Sequence, residues 1–352
     1  MRAVVAERPH VSLLIPCRNE ADFIETCLRS VDALDWPTDL LDVLVIDGMS
    51  SDATADVVRR FASDHPEVRL VTNPKRTLAS GWNLGLAQSQ SEVVATMIAH
   101  QTYAPNYVAT SIRYLREYDA DGVGGNMTTL PQEDTALGRA IAAVWSHPFG
   151  VGNAYFRIGT DRPRWVDNIH CGVFRRDALE RVGGYNELLT RSQDADMQTR
   201  LRAAGGRLLL VPERFSAYYA RSSYWAFGRY AVINGYWVAR PLEHGSFLSS
   251  IRHWVPFLFV GTLGVLGAAA PFASFARWLL AVAVTLYIAC AIGTAADIAI
   301  RRRDVRYAVV VPLVLATLHI GYGVGAAFGL AQLAFARVRW FFRPRRSSDV
   351  VG

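Results

Sequence analysis

The sequence predicts an α/β domain with a largely parallel sheet, followed by a hydrophobic unit of membrane-spanning helices. Between residues 11 and 115, short apolar runs alternate with segments of helical periodicity, as in sheets whose parallel strands are joined by helices. Beyond residue 253, three long apolar runs follow one another with few charges. The net charge divides at nearly the same place, because residues 1–243 carry −2 and residues 244–352 carry +8.

Four buried strands are predicted in the first part of the chain. They lie at Val11–Ile15, Val43–Ile46, Val68–Val71 and Val93–Ile98, and helices are predicted at residues 23–31, 55–61, 77–86 and 107–115. Ligands of such sheets bind beyond the carboxyl ends of the strands. The candidate site residues are therefore the polar groups after each strand: Arg18–Glu20, Asp47–Asp52, Asn73–Arg76 and Ala99–Gln101. Residues 122–240 are less regular, with helices predicted at 136–145, 193–203 and 224–238.

Each of the three C-terminal runs is long enough to span a bilayer. They cover residues 254–272, 278–299 and 308–335, and about 20 residues cross a bilayer as a helix. A buried soluble hairpin is the alternative, but three such runs would need a very large soluble core to cover them. Trp254 and Trp278 lie near run ends, as interfacial anchors do. We therefore predict a domain of residues 1–240 and a membrane unit of residues 241–352.

The arginines predict the topology of this unit. The second run is followed by Arg301, Arg302, Arg303 and Arg306. The positive-inside rule places that loop and residues 1–240 in the cytoplasm, in a multi-pass protein of the plasma (inner) membrane. An Arg-rich tail follows the third run, and three complete spans would put it outside, against the same rule. A break at Pro312 or at residues 321–325, which would leave the third run shallow or re-entrant, would remove this conflict, and the sequence leaves the question open.

Several classes of function are disfavoured or excluded. The nearly neutral front domain offers no basic patch, which argues against a nucleic-acid partner. Lys75 is the only lysine and no GxxxxGK[ST] run occurs, so a P-loop is excluded. The first twenty residues lack the pattern of a secretory signal. Four cysteines show no zinc spacing and are expected to be reduced, mostly buried thiols of a cytosolic domain: Cys17, Cys27, Cys171 and Cys290.

Two acidic segments carry candidate chemistry. Asp52 can cap the helix that follows it, whereas Asp47, at a strand end, can accept hydrogen bonds from a base or a ribose hydroxyl. A plain turn with two solvated acids is the alternative. Asp194 opens the predicted helix of residues 193–201, where the helix dipole would hold its carboxylate ionised. That position suits a catalytic base and a helix cap equally well.

In order and spacing, five segments resemble family 2 glycosyltransferases: Pro16–Glu20, Ile46–Thr54, Trp82–Gly85, Gly183–Glu187 and Gln193–Asp194. The resemblance covers residues 11–237 and implies the GT-A fold. In that fold a Rossmann-like nucleotide-binding part, here about residues 1–126, joins an acceptor-binding part, here about 127–240. A closer resemblance is to the membrane-attached glycosyltransferases of exopolysaccharide synthesis, of the succinoglycan type. It rests on Phe149–Asn153, Val166–Asp167, Gly172–Arg176, Arg191–Asp194 and Arg221–Ser223.

The resemblance implies a role for each matching residue. A nucleotide-sugar pocket, for a UDP-linked donor, would involve Pro16, Arg18, Glu20, Asp47, Asp52, Asn83 and His100. Asp194 matches the general base of an inverting transfer. Positions that meet the acceptor or the leaving diphosphate are matched by Gly172, Gln193 and Arg221. The implied partners are the donor, a lipid-linked or saccharide acceptor and membrane lipids, while the oligomeric state stays open.

One departure from the family concerns the metal. Where the family places Asp-x-Asp, or Asp-Ala-His in the closer group, this chain has Ile98-Ala99-His100. His100 could ligate Mn²⁺, whereas Mg²⁺ prefers oxygen ligands. Three outcomes are open for this divalent-metal cofactor: a weakened site that uses His100, metal-independent catalysis, or an inactive relative.

Two rival functions follow, together with two smaller questions. The first rival is a non-catalytic scaffold or binding protein of a polysaccharide assembly, and the second is a processive synthase, for which three spans are few. Aromatic residues between 218 and 237 suit either an interfacial helix or an ordinary core. A nucleophilic pair of His170 and Cys171 is disfavoured, because neighbours on a strand point apart.

Overall fold

A computed structural model describes residues 5–244 and 250–341 of the chain. The described residues form nine strands: β1 Val11–Cys17, β2 Leu41–Asp47, β3 Val68–Thr72, β4 Val93–Thr96, β5 Gln101–Tyr103, β6 Gly122–Pro131, β7 Arg164–Val166, β8 Val173–Arg175 and β9 Leu208–Ala220. The described part of the first domain contains ten α-helices: α1 Ile24–Asp32, α2 Thr54–Ala62, α3 Leu78–Gln88, α4 Tyr107–Glu117, α5 Ala136–Val144, α6 Pro148–Val151, α7 Tyr155–Ile158, α8 Arg176–Arg181, α9 Gln193–Ala203 and α10 Tyr224–Ala239. Three long helices follow: α11 Val255–Ala269, α12 Ser274–Arg302 and α13 Arg306–Phe341.

One mixed sheet organises the domain, with strand order β3-β2-β1-β4-β8-β6-β9-β5, and β7 also pairs with β9. The first four strands are parallel, so their carboxyl ends meet at one edge. Strand β8 runs antiparallel between β4 and β6, and β6 pairs in parallel with β9. The predicted parallel α/β sheet is therefore confirmed for the first four strands, and the second half of the domain adds mainly antiparallel pairs to it.

Alternation along the strands sends side chains to the two faces of the sheet. Leu13 and Ile15 join the core beneath α1, α2 and α4, whereas Leu14 joins the core beneath α3, α8 and α9. Pro16 lies inside β1, where the sequence predicted the strand to end. A proline is tolerated there because β4 pairs with β1 only as far as Leu14, so Pro16 has no ladder partner on that side.

The predicted boundary between the two parts of the domain, at residues 126 and 127, falls within β6, and the sheet is continuous across it. The other predicted boundary, at residue 240, follows α10 directly. That helix lies against α13 rather than standing apart from it. Its glycine at 235 is so close to α13 that an added Cβ would lie 1.9 Å from the carbonyl oxygen of Tyr322.

Three described helices are long and apolar enough to cross a membrane: residues 251–269, 274–302 and 306–335. Their positions agree with the three predicted spans. The proposed break in the third is wrong, because α13 continues through Pro312 and through residues 321–325 as one helix. The glycines there serve close packing instead, since a Cβ at Gly325 would lie 2.0 Å from the carbonyl oxygen of Val232 on α10. The tail arginines at 343, 345 and 346 lie outside the described residues.

Candidate active site

The loops after β1 and β2 interlock at the carboxyl edge of the sheet. The Asp47 carboxylate accepts hydrogen bonds from the Ser50 backbone N–H at 3.1 and 3.2 Å and from its hydroxyl at 2.5 Å. Asn19, in a left-handed conformation (φ 55°), donates its backbone N–H to the Ser50 hydroxyl and accepts from the Ser51 N–H. A carboxylate has about four acceptor positions, so Asp47 keeps capacity for a ligand although only 7% exposed.

Asp52 joins the same two loops. Its Oδ1 accepts from the backbone N–H and the hydroxyl of Thr54, and its Oδ2 accepts from the Ala21 N–H. These hydrogen bonds, led by the Thr54 hydroxyl, lower the pKa of Asp52 below its usual value. The predicted capping of α2 by Asp52 is wrong, because the N-cap residue is Ala53; Asp52 lies one residue earlier and bonds the N–H of the first helical residue instead. The Thr54 hydroxyl also accepts from the Glu20 N–H at 2.8 Å, which fixes the backbone from which the Glu20 side chain projects.

Two other predicted pocket residues, Pro16 and Asn83, make packing and hydrogen-bond contacts with neighbouring elements. Pro16 is buried against α3, because a Cβ added to Gly81 of that helix would lie 2.7 Å from the Cβ of Pro16. The Asn83 amide donates to the Tyr185 carbonyl and to Glu187 Oε1, and its oxygen accepts from the Tyr185 N–H. Asn83 therefore fastens the turn at residues 183–187 to α3. Arg18 is exposed and has no hydrogen bond or ion pair with any of the described residues.

His100 turns towards Glu20, with 3.0 Å between Nδ1 and Oε1. No group of three or more His, Cys, Asp or Glu side chains in the described parts of the chain could hold a metal ion. Ile98, which replaces the first acid of the family motif, offers no ligand atom on its side chain. The residues present therefore do not form a metal site of their own, and the His100–Glu20 pair supplies at most two ligands.

Behind His100, a buried polar cluster surrounds Gln101. The Gln101 amide nitrogen lies 2.7 Å from His170 Nε2, and its oxygen accepts from the Cys171 thiol at 3.3 Å. The expectation that His170 and Cys171 point apart assumed a strand, but both residues precede β8, Cys171 is left-handed (φ 44°), and both side chains contact the Gln101 amide. Burial, assisted by Arg157, lowers the pKa of His170 to about 3, and burial raises the pKa of Cys171 to about 12. This neutral pair has no character of an activated nucleophile.

Gly172 connects this cluster to the sheet. Its carbonyl oxygen accepts from the Thr96 backbone N–H at 3.0 Å and from the Thr96 hydroxyl at 3.2 Å. A Cβ at Gly172 would lie 2.5 Å from Ile169 and 2.8 Å from Phe174. The position thus requires glycine for close packing, and any contact that it makes with an acceptor stays a prediction.

Asp194 lies in the first turn of α9, as the sequence predicts, but its protonation is governed differently. Burial raises the pKa of its carboxyl above the usual value, while the N–H groups at the helix start and the charge of Arg252 act in the opposite direction. The helix start thus favours the ionised carboxylate, as the sequence predicts, but burial is the larger effect. The charge of Asp194 also raises the pKa values of Cys171 and Tyr185. Beside it, Gln193 Oε1 is buried and has no partner among the described residues.

Arg252 is a site residue that the sequence analysis missed. It lies just before α11, yet its guanidinium reaches into the domain, 2.8 Å from Asn168 Oδ1, 3.2 Å from Asn153 Oδ1 and 3.4 Å from Asp167 Oδ1. Gly152, with φ 62°, leaves the space that its stem fills. A lone arginine between the domain and an apolar run was the available signal, although the sequence analysis did not use it.

Three other arginines of this region place their guanidinium groups over aromatic rings. Arg221 is exposed, and its guanidinium carbon lies 5.3 Å from the Tyr230 ring centre, while that of Arg191 lies 5.4 Å from the same ring. Arg157, also missed from sequence, lies 4.3 Å from Trp145. The aromatic segment is mixed in character, since Phe227 is 1% and Trp225 is 83% exposed.

The chain as a whole is similar to several known proteins. Residues 12–183 match the family model described as Glycosyl transferase family 2. The succinoglycan biosynthesis protein ExoA of Rhizobium meliloti is 26% identical over 327 residues, 89% of this chain and 92% of ExoA. A Methanococcus voltae dolichyl N-acetyl-alpha-D-glucosaminyl phosphate 3-beta-D-2,3-diacetamido-2,3-dideoxy-beta-D-glucuronosyltransferase is 24% identical over 60% of this chain and 68% of its own length.

Among solved structures, a mannosyltransferase from Pyrobaculum calidifontis, in complex with GDP-Man and Mn²⁺, resembles this chain with a TM-score of 0.61 at 21% identity. The likeness covers 92% of this chain and 88% of the other, and it confirms the GT-A fold. Fold and site together define an enzyme that transfers a sugar from a nucleotide-sugar donor. The protein is a family 2 glycosyltransferase, and it resembles ExoA over most of its length.

Proposed function

We propose that this glycosyltransferase is membrane-anchored, inverts the anomeric centre of a UDP-linked sugar, and uses Asp194 as its general base. The observation that carries the proposal is the position of Asp194. It lies in the first turn of α9, and burial raises the pKa of its carboxyl group. A carboxylate with such a pKa takes up a proton more readily than a solvated one.

The proposed step needs one base and one positive environment. The acceptor hydroxyl gives its proton to Asp194 while its oxygen forms a bond to the anomeric carbon. The bond from that carbon to the donor's diphosphate breaks on the opposite face, and the nucleoside diphosphate leaves. Its charge requires cations. Arg18 and Arg221 suit this role, because both are exposed and neither has an ion-pair partner among the described residues.

The nucleotide would lie over the loops that Asp47 and Asp52 hold together, with Asp47 facing the base. The support is the rigidity of these loops and the unused acceptor capacity of Asp47. Binding of UDP and GDP by the purified protein, with matched Asp47→Asn, tests the assignment. We expect UDP to bind more tightly than GDP and the variant to lose most of that preference, whereas equal binding of both nucleotides contradicts it.

A divalent ion is proposed only as a companion of the donor. Ions in nucleotide sites are often held by one or two protein groups together with phosphates. Glu20 and His100 could supply two such groups. Donor binding should then strengthen with Mn²⁺, and His100→Ala should remove that gain. Binding that ignores both Mn²⁺ and the substitution would assign charge neutralisation to the arginines alone.

The acceptor is proposed to be a lipid-linked or growing saccharide, met on the cytoplasmic face of the plasma (inner) membrane. An apolar groove of about 590 Å³ between α10 and α13 supports a lipid-linked form. It begins at Tyr224, three residues beyond Arg221, and continues along Leu313 and Ile320. A lipid chain in this groove would hold its head group beside the arginines of the site.

Asp194→Asn tests the reaction itself. The amide keeps the size of the side chain but cannot take the proton, so turnover should fall by about 10²- to 10⁴-fold while donor binding stays unchanged. Turnover that survives the substitution would remove Asp194 from the mechanism. The second candidate function, a non-catalytic scaffold, is motivated by Ile98, and it predicts no turnover of any nucleotide sugar by the unaltered protein.

A further inference from the structure

The Arg157 side chain has no carboxylate partner among the described residues. Its guanidinium is surrounded by rings: the guanidinium carbon lies 4.3 Å from the centre of Trp145, 5.2 Å from Tyr218 and 5.5 Å from Phe156. Its one hydrogen bond is a long one, 3.5 Å to the hydroxyl of Thr129. Within residues 5–244 and 250–335 it makes no ion pair with a carboxylate.

Three other arginines whose guanidinium groups pack against this domain each have a carboxylate partner, and Arg191, which has none among the described residues, bonds the Asn234 amide oxygen at 3.1 Å instead. Arg175 pairs with Asp119, Arg200 pairs with Asp196, and Arg252 pairs with Asp167. Withdrawing a guanidinium from water is costly unless a negative group replaces the lost hydration. Aromatic faces return only a part of that cost. The contrast indicates that the missing negative group of Arg157 comes from a ligand.

The surroundings of Arg157 increase the demand for a negative charge. The nearby charge of Arg252 adds to the effect of burial in lowering the pKa of Arg157, and His170, stacked on Phe156 at 5.5 Å, is neutral. Burial raises the pKa of the Tyr218 hydroxyl to about 12, while Arg157 and Arg221 both oppose this rise. Arg157 lies 5.2 Å from the centre of the Tyr218 ring, and Arg221 lies 5.3 Å from the centre of the Tyr230 ring.

The position of Arg157 connects it to the reaction site. The Tyr218 ring lies 6.0 Å from the His100 ring, and His100 belongs to the loop that follows β4. The Phe156 ring stacks on His170, which contacts Gln101 of the same loop. The Tyr218 ring thus lies between Arg157 and His100, a residue of the proposed donor pocket. The charge of Arg252 also acts on Arg157.

We propose that Arg157 is a phosphate receptor: it binds a phosphate group of a substrate, with Arg221 as the second cation. The shared chemistry is a phosphate ester, which two substrates could supply, namely the diphosphate of the nucleotide sugar and the phosphate of a lipid-linked acceptor. The assignment to a substrate rests on the proposed function, whereas phosphate binding itself does not require turnover. A cation at this place would also supply positive charge that a metal ion would bring if an acid stood at Ile98.

Binding of inorganic pyrophosphate to the full-length protein in detergent tests the receptor. Arg157→Met, which keeps much of the apolar contact, should weaken pyrophosphate at least 10-fold and lose its thermal stabilisation. Without anion, Arg157→Met should unfold at the same or a higher temperature, because an uncompensated cation has been removed. Arg59→Met, at an exposed arginine paired with Asp56, is the matched control and should behave as the unaltered protein.

Arg157→Lys separates charge from packing, since it keeps the cation and loses the planar stack. It should bind pyrophosphate more tightly than Arg157→Met. Equal weakness of both variants, unchanged binding in Arg157→Met, or a lower unfolding temperature of Arg157→Met without anion would overturn the proposal, because each assigns Arg157 to packing.

Two further arms identify the source of the phosphate. If Arg157 meets the donor, Arg157→Met weakens UDP far more than uridine and leaves farnesyl phosphate unaffected. If it meets a lipid acceptor, the variant weakens farnesyl phosphate relative to farnesol and leaves UDP unaffected. Asp194→Asn should retain pyrophosphate binding, so a failure of the glycosyl-transfer proposal remains distinct from a failure of this one.

Discussion

Two opposing influences act on the single carboxyl group of Asp194. Burial favours its neutral form, while Arg252 and the N–H groups at the start of α9 favour its charged form. A base must be ionised to accept a proton, so activity should rise with pH through the pKa of this group. Since burial outweighs the other effects, that rise should occur at a higher pH than for a solvated aspartate.

Arg252→Gln tests how far the cation tunes this base. Removal of the positive charge should raise the pKa of Asp194 further, so the acidic limb of the kcat/KM profile should move to higher pH. Arg252→Lys keeps a charge and should move the limb less. The readout is the pH profile of kcat/KM, and a profile of Arg252→Gln that differs from the unaltered one only in height would leave Arg252 a structural role alone.

The buried polar cluster behind His100 yields a contrasting prediction. His170, whose pKa burial lowers to about 3, stays neutral throughout the physiological range. His170→Asn should therefore leave the position of both pH limbs unchanged, even if the rate falls through altered packing around Gln101. A shifted limb in this variant would show that His170 titrates during the reaction.

At the scale of elements, the seam between α10 and α13 depends on glycine. Added Cβ atoms at Gly235 and Gly325 would lie within 2.0 Å of carbonyl oxygens on the facing helix. Small residues at such seams let two helix backbones approach closely. This seam joins α10, which contains most of the aromatic segment, to α13. The close contact therefore fixes the position of α13 relative to the domain.

Gly235→Ala should destabilise this seam by about 1–3 kcal/mol or more, because the alanine methyl group cannot be accommodated without moving a helix. Gly261→Ala on α11 is the matched control, since nothing lies within 4 Å of its added Cβ and alanine is the better helix former. Thermal unfolding in one detergent measures both. Equal unfolding temperatures for the two variants would contradict the close approach of α10 and α13.

The elements that the sequence predicted are those that a local pattern specifies. Strands β1 to β4 are short apolar runs between turns, and α9 and α10 have the predicted beginnings. Strand β9, by contrast, pairs with three other strands, and no local pattern of apolar residues predicts these pairings. The donor-side residues follow strands and belong to motifs, whereas Arg157 and Arg252 reach the site only through tertiary packing, which spacing along the chain does not encode.

At the scale of the whole molecule, the described helices and the domain share one core. The beginning of α13, through Val311 and Leu315, packs with Ile141 of α5 and with Phe227 of α10. His147 lies 3.6 Å from Asp297 near the end of α12. The domain thus contacts the chain on both sides of the arginine loop at residues 301–306, which favours placing that loop and the domain on one side of a membrane.

Thiol labelling of sealed vesicles tests this topology. Ser63→Cys lies on the exposed end of α2, and Val305→Cys, at an 80% exposed position, lies between α12 and α13. A membrane-impermeant maleimide should label both variants from the same side, above the background of the native cysteines. Labelling from opposite sides would show that α11 and α12 do not form a hairpin across the bilayer.

The glycine seam has one consequence for the substrates of an anchored enzyme. Helices in backbone contact cannot slide freely, so the reaction centre would be held at one height above the lipid head groups. A lipid-linked glycan would then be selected by its length, because only a terminal hydroxyl at that distance from the membrane would reach the general base. If the proposed function holds, such an enzyme would add its sugar only to acceptors of one length, and the next addition would require an enzyme whose reaction centre lies at another height.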